Sequence, residues 1–148
     1  MRHRTAQHTE HLTALLAIAC WLAGGETAFA SDLEPMSYIS GQASAGRTLY
    51  MRTCAACHGN ALEGGAAPGL TGATFSHWIG APAADLFEYV QLQMPADRPG
   101  SLTSGQVASI LAFLAQQNGV PAGGRPVPTN RDGLAGLSFG QSATQGGL

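Results

Sequence analysis

The chain has 148 residues, 45% of them hydrophobic and 11% charged, and its formal net charge is −2. That balance suits one folded domain and is too apolar for a disordered tail protein. All seven basic residues are arginine, so a lysine-rich patch is missing, and no interleaving of basic and aromatic residues marks a nucleic-acid or anionic-lipid surface.

In chain order, Arg2 and Arg4 precede an apolar run from Leu12 to Gly24, and Ala28-Phe29-Ala30 forms a small-x-small site before Ser31. A basic start, an apolar stretch of roughly a dozen residues and an A-x-A site describe a cleaved secretory signal over residues 1–30, cut after Ala30, with a periplasmic product. The run falls short of the ~20 residues that span a bilayer, which argues against an uncleaved anchor and leaves no membrane span in the mature chain. Ala17-Ile18-Ala19 is a poor lipoprotein box for Cys20, which leaves with the signal. Cys54 and Cys57 are then the only thiols of the mature chain, in a compartment where free thiols pair.

Residues 31–39 read as an extended arm, and a domain is expected over 40–125. Gly41 to about Thr53 is helix-compatible, with Ser40 as N-cap and Ala43, Leu49 and Tyr50 as buried positions. Gly59 to Gly80 is rich in Gly and Pro without a sustained period, and a structured loop of that length most often wraps a ligand. Pro82 suits the first turn of a second helix, with Leu86, Tyr89 and Val90 at i, i+3 and i+4. That helix must end near Gln93, because Pro95 forces Met94 out of the α region. The third helix carries a Thr103-Ser104-Gly105-Gln106 capping box, a Leu102 and Val107 staple, a Val107, Ile110, Leu111 and Leu114 stripe, and Gly119 as its stop. Residues 126–148 read as a flexible extension with a short apolar patch at Leu134, Leu137 and Phe139. No strand-length β-branched run appears, so the fold class is all-α, with about three core helices.

The chemistry sits at Cys54-Ala55-Ala56-Cys57-His58-Gly59. A thioredoxin-like disulfide would need a buried strand before the first thiol and a βαβ pattern, whereas Gly46 to Thr53 prefers helix. A structural zinc site would have to draw on Cys54, Cys57, His58 and His77 alone, and adjacent Cys57 and His58 rarely both reach one tetrahedral ion. C-x-x-C-H is the attachment signature of a c-type haem, with each thiol on one vinyl group and the histidine under the iron as axial ligand. That reading uses every residue of the motif and accounts for both thiols.

The iron's sixth position is filled by Met94, His77, Met51 or Met36, or stays open. Met51 lies too close to the attachment site and Met36 precedes the domain. Met94 ends a helix and is held extended by Pro95, so its thioether can point across a cavity; a loop methionine before proline is also a poor core position. It is the expected ligand.

With these residues the sequence resembles the class I c-type cytochromes, small monohaem electron carriers with helices packed around a covalently bound haem. The resemblance runs from about Ser40 to Gly119, through Gly46-Arg47-Thr48-Leu49-Tyr50, CAACHG, Pro68-Gly69-Leu70, Met94-Pro95 and Ile110-Leu111-Ala112-Phe113-Leu114. It implies that Gly46 and Tyr50 cross the last helix at Phe113 or Ile110, and that the Pro68 carbonyl accepts a hydrogen bond from His58. It further implies that Leu70 packs on the haem face and that Trp78 lies near a propionate. The sequence is also similar to the small cytochrome c domains that accompany quinoprotein or other periplasmic dehydrogenases, through Pro99-Gly100-Ser101-Leu102 and Asn118-Gly119-Val120-Pro121-Ala122-Gly123. A ring of docking lysines, common in the family, is missing here, so encounter steered mainly by charge is not expected.

Together these features imply an electron carrier, not an enzyme. One haem c would be anchored on Cys54 and Cys57, ligated by His58 and Met94, and lined by Leu49, Leu70, Leu86, Val90, Ile110 and Leu114, exchanging electrons with redox proteins. The competing expectation is a haem enzyme or gas sensor with an open sixth site and His77 or Gln93 as distal group.

Overall fold

The computed structural model describes residues 33–140. The expected signal over residues 1–30, its cut after Ala30, and the last residues of the extension lie outside the described part. In chain order the elements are strand β1 (Glu34–Pro35), helix α1 (Ser40–Thr53), a single turn α2 (Ala55–His58) and a 3₁₀ helix (Gly72–Trp78). Helices α3 (Ala83–Gln93) and α4 (Ser104–Gln117), a second single turn α5 (Arg131–Leu134) and strand β2 (Leu137–Ser138) complete it. This is an all-α fold, to which the two short strands add one parallel pairing, Glu34 with Leu137 and Pro35 with Ser138.

Helix α4 is the centre. Beyond the expected stripe of Val107, Ile110, Leu111 and Leu114 it buries Ala108, Ala112, Phe113 and Ala115, so it is covered on most sides, as an apolar helix must be. Burying each large side chain of that set contributes about 1.5–3 kcal/mol. Its start is the expected capping box: Thr103 Oγ1 accepts from the Gln106 amide at 3.3 Å, and the Gln106 side chain accepts from the Thr103 amide at 2.8 Å. Leu102 and Val107 are both buried beside it.

Helix α1 lies across α4 in the most extensive helix contact among the described residues. A Cβ on Gly46 would run into the Ser109 carbonyl and come within 3.0 Å of Phe113 Cβ, so only a missing side chain lets the backbones approach this closely. One turn on, Tyr50 and Phe113 stack obliquely with ring centroids 5.3 Å apart, which identifies Phe113 rather than Ile110 as the partner. Helix α1 starts at Ser40 with Ile39 at the capping position, and no side chain caps it. The Ile39 carbonyl takes the amides of Gln42 and Ala43.

The chain ends depart from expectation. Met36 and Tyr38 of the arm are core residues, 2% and 3% exposed. Residues 127–140, expected to be flexible, pack into the domain: Val127, Leu134 and Phe139 are buried, and the Val127 backbone amide and carbonyl both bond the side chain of Gln42. These apolar residues are spaced by Gly, Pro and polar neighbours, so they show no period, yet each has a slot to fill. Helix α3 differs in one position: Leu86, Phe87 and Val90 are its large buried residues, and Tyr89 is exposed.

Candidate functional site

Helix α1 ends where the Cys54 amide donates to the Tyr50 carbonyl at 2.8 Å, and α2 begins at once, so the thiol pair follows a helix, not a strand. The turn carries Cys57 and His58 and stops at Gly59, whose φ of 85° is a conformation that glycine adopts without strain. Tyr50, fully buried, donates its hydroxyl to the Gly59 carbonyl at 2.6 Å and so ties the end of the turn to α1.

The glycine-rich loop then doubles back over the turn. The Gly64 amide bonds the His58 carbonyl at 2.8 Å, and the Ala67 amide bonds the Cys57 carbonyl at 3.0 Å. This return puts the Pro68 carbonyl 2.7 Å from His58 Nδ1. Because a carbonyl only accepts, Nδ1 holds the proton, and in the neutral ring Nε2 is then the nitrogen with the free lone pair. Asn118, at the end of α4, donates to the carbonyls of Leu70 and Leu114 at 3.0 and 2.9 Å, which moors the far end of the loop.

These elements enclose a cavity of about 520 Å³. Cys54, Cys57 and His58 line one side; Met94, at the extended residue that ends α3 (φ −120°, ψ 151°), lines it as well. Of the expected apolar residues, Leu70, Leu86, Val90, Ile110 and Leu114 line it, while Leu49 packs against the core elsewhere. Phe75 and Tyr89 are further wall residues that sequence reasoning passed over; Trp78 joins them, its ring 5.7 Å from that of Tyr89. Arg52, Asp97 and Arg98 are the charged lining residues, and the Arg98–Asp97 pair is exposed, so it contributes little.

The remaining candidates fall outside. His77 is exposed, stacks on Trp78 at 5.0 Å and does not line the cavity. Met36 is buried in the core beside β1, and Met51 is 42% exposed on α1.

Burial pushes the Cys54 thiol's pKa up; the charge of Cys57 adds to this, and a contact with Thr53 Oγ1 at 3.3 Å opposes it. The pair also follows helix α1 rather than the buried strand that precedes the thiols of a disulfide oxidoreductase. Nor, among the described residues, do three His, Cys, Asp or Glu side chains gather as a metal cluster. A haem c does fit: the cavity is of cofactor size and mainly apolar, two thiols stand at its wall, and the one histidine beside them has its Nδ1 engaged by a backbone carbonyl, so that Nε2 is the nitrogen available as a ligand.

Among comparisons with known proteins, the family model described as cytochrome c oxidase, cbb3-type, subunit III matches residues 41–114, half of the chain. No curated protein and no solved structure matches.

Proposed function

The chain belongs to this family of c-type cytochrome domains, which carry haem c covalently, and from that premise we propose a periplasmic single-electron carrier with His58 and Met94 as axial ligands. The observation behind the reading is that one cavity gathers Cys54, Cys57, the His58 ring and Met94. When bound, haem c supplies a one-electron iron couple.

The chain's own residues do the rest. Cys54 and Cys57 hold the group by thioether bonds, and Pro68 orients the His58 ring so that Nε2 is the ligating nitrogen. Leu70 packs on the haem face. Leu86, Val90, Ile110 and Leu114 keep water from the site, which disfavours the more highly charged oxidised state and raises the potential. His58 and Met94 would both hold the iron, which would leave no open position for a substrate and suit electron transfer. Residues 1–30 act as the export signal, removed after Ala30. The partners are redox proteins: a periplasmic dehydrogenase of the quinoprotein class as donor, and a respiratory acceptor.

The test is optical. The ferric holoprotein is expected to show a methionine-sulfur-to-iron charge-transfer band that disappears in Met94→Ala, and the reduced wild type is expected not to bind carbon monoxide. Ready binding of carbon monoxide by the wild type would replace this reading with an open sixth site.

A further inference from the structure

Strands β1 and β2 and the turn α5 lie outside the family match, yet they close on one wall of the cavity. The Phe139 amide donates to the Ala81 carbonyl at 2.8 Å, and the Gly80 amide donates to the Phe139 carbonyl at 2.9 Å, so residue 139 clips the chain just before α3. Ser138 forms a bridge with Pro82. The Phe139 ring, fully buried, meets Phe75 edge-on at 5.6 Å, and Phe75 lines the cavity. Leu134 of α5 is also fully buried, and Arg131 bonds both Asp85 and Glu88 on α3.

Helix α3 needs this support. Its Leu86 and Val90 face the cavity, so the protein must hold it by other residues, and Ala83, Ala84 and Phe87 are buried without lining the cavity. Its contact with α4 is no more extensive than its contact with the four-residue α5, and it packs on β2 as well. An eleven-residue helix is marginal without such packing. The ion pairs of Arg131 are about half exposed and contribute little, so the buried Phe139 and Leu134 carry the support.

We propose that the paired chain ends form a brace in which Phe139 is a positioning residue for Met94, holding α3 and the 3₁₀ helix against the cofactor so that the thioether stays on the iron. The inference rests on Met94 being the sixth ligand. Loosening the brace lets α3 swing outward and the methionine leave, while the thioether bonds at Cys54 and Cys57 still retain the haem.

The experiment compares wild-type holoprotein with Phe139→Ala, Phe139→Leu and Arg131→Ala. Phe139→Ala is expected to keep a covalently attached haem, to lose a measurable share of the ferric methionine band and, when reduced, to bind carbon monoxide, which the wild type does not. Phe139→Leu is expected to restore most of the band, and Arg131→Ala to leave it unchanged. Hydrogen exchange on the wild-type holoprotein supplies a second measure, needing no variant: the Phe139 and Met94 amides are expected to open together. A Phe139→Ala protein with the full band and no gain in carbon monoxide binding, or a Phe139 amide that opens far more readily than α3, overturns the inference alone. A wild type without the band overturns it together with the ligand reading beneath it.

Discussion

His58 hangs from the backbone of Pro68: ring Nδ1 and carbonyl oxygen are 2.7 Å apart, across ten residues of chain. The bond leaves Nε2 as the one coordinating atom of the ring. His58→Ala is therefore expected to abolish normal haem incorporation, whereas His77→Ala, an exposed position off the cavity, leaves holoprotein yield and spectrum unchanged. Equal losses in the two variants would make His77 a ligand. Haem staining and reduced spectra of the purified variants decide.

The two thiols are expected to be unequal in loss but joint in necessity. Cys57→Ala leaves at most one thioether and sharply lowers the yield of attached haem. The Cys54→Ala, Cys57→Ala double variant leaves none, as read by mass spectrometry of the denatured protein. Normal attachment in the double variant would end the c-type assignment.

Two glycines at helix positions should respond oppositely to alanine. At Gly46 the new methyl meets the Ser109 carbonyl, which is backbone and cannot rotate aside, so α1 and α4 must part. The expected loss is about 3 kcal/mol, at or beyond the upper end of typical overpacking costs. At Gly105 nothing lies within 4 Å, and alanine is expected to be neutral or to stabilise by up to ~1 kcal/mol. Denaturant titration of both variants measures the contrast.

Tyr50 links stability to alkaline pH. Burial first, then the neighbouring Cys54 and Glu63 charges, push its pKa from 10.0 to about 12. Its folded pKa lies above the unfolded one, so the folded state binds the extra proton. The stabilisation is complete below pH 10 and is lost as the pH rises toward 12. Unfolding midpoints across that range should fall in the wild type and fall less steeply in Tyr50→Phe, which also lacks the bond to Gly59. Parallel curves would contradict the role given to this hydroxyl.

What was legible in the sequence was local. The capping box at Thr103 and Gln106, the end of α3 before Pro95 and the C-x-x-C-H turn each depend on residues a few positions apart. The bond between His58 and Pro68 could be reached only through a family resemblance, because nothing in a glycine-rich loop announces which carbonyl will return to the ring. The i, i+3, i+4 stripe of Leu86, Tyr89 and Val90 misses Phe87 because it assumes that a helix buries one face. Helix α3 buries two, one toward the cavity and one toward the chain ends, and the second face became visible only with the brace. The brace itself has strands of two residues, too short for any alternation, and a composition otherwise typical of a mobile tail.

The parallel pairing of β1 and β2 also sets an order of events. Ser138 and Glu34 stand 104 positions apart, and closing a loop of that length costs about 4 kcal/mol of chain entropy, more than two short strands recover. The pairing can only follow the burial of Phe139 and Leu134. The segment at Glu34 must therefore wait for one 104 positions later, so this pairing is a late step in completing the described part of the fold.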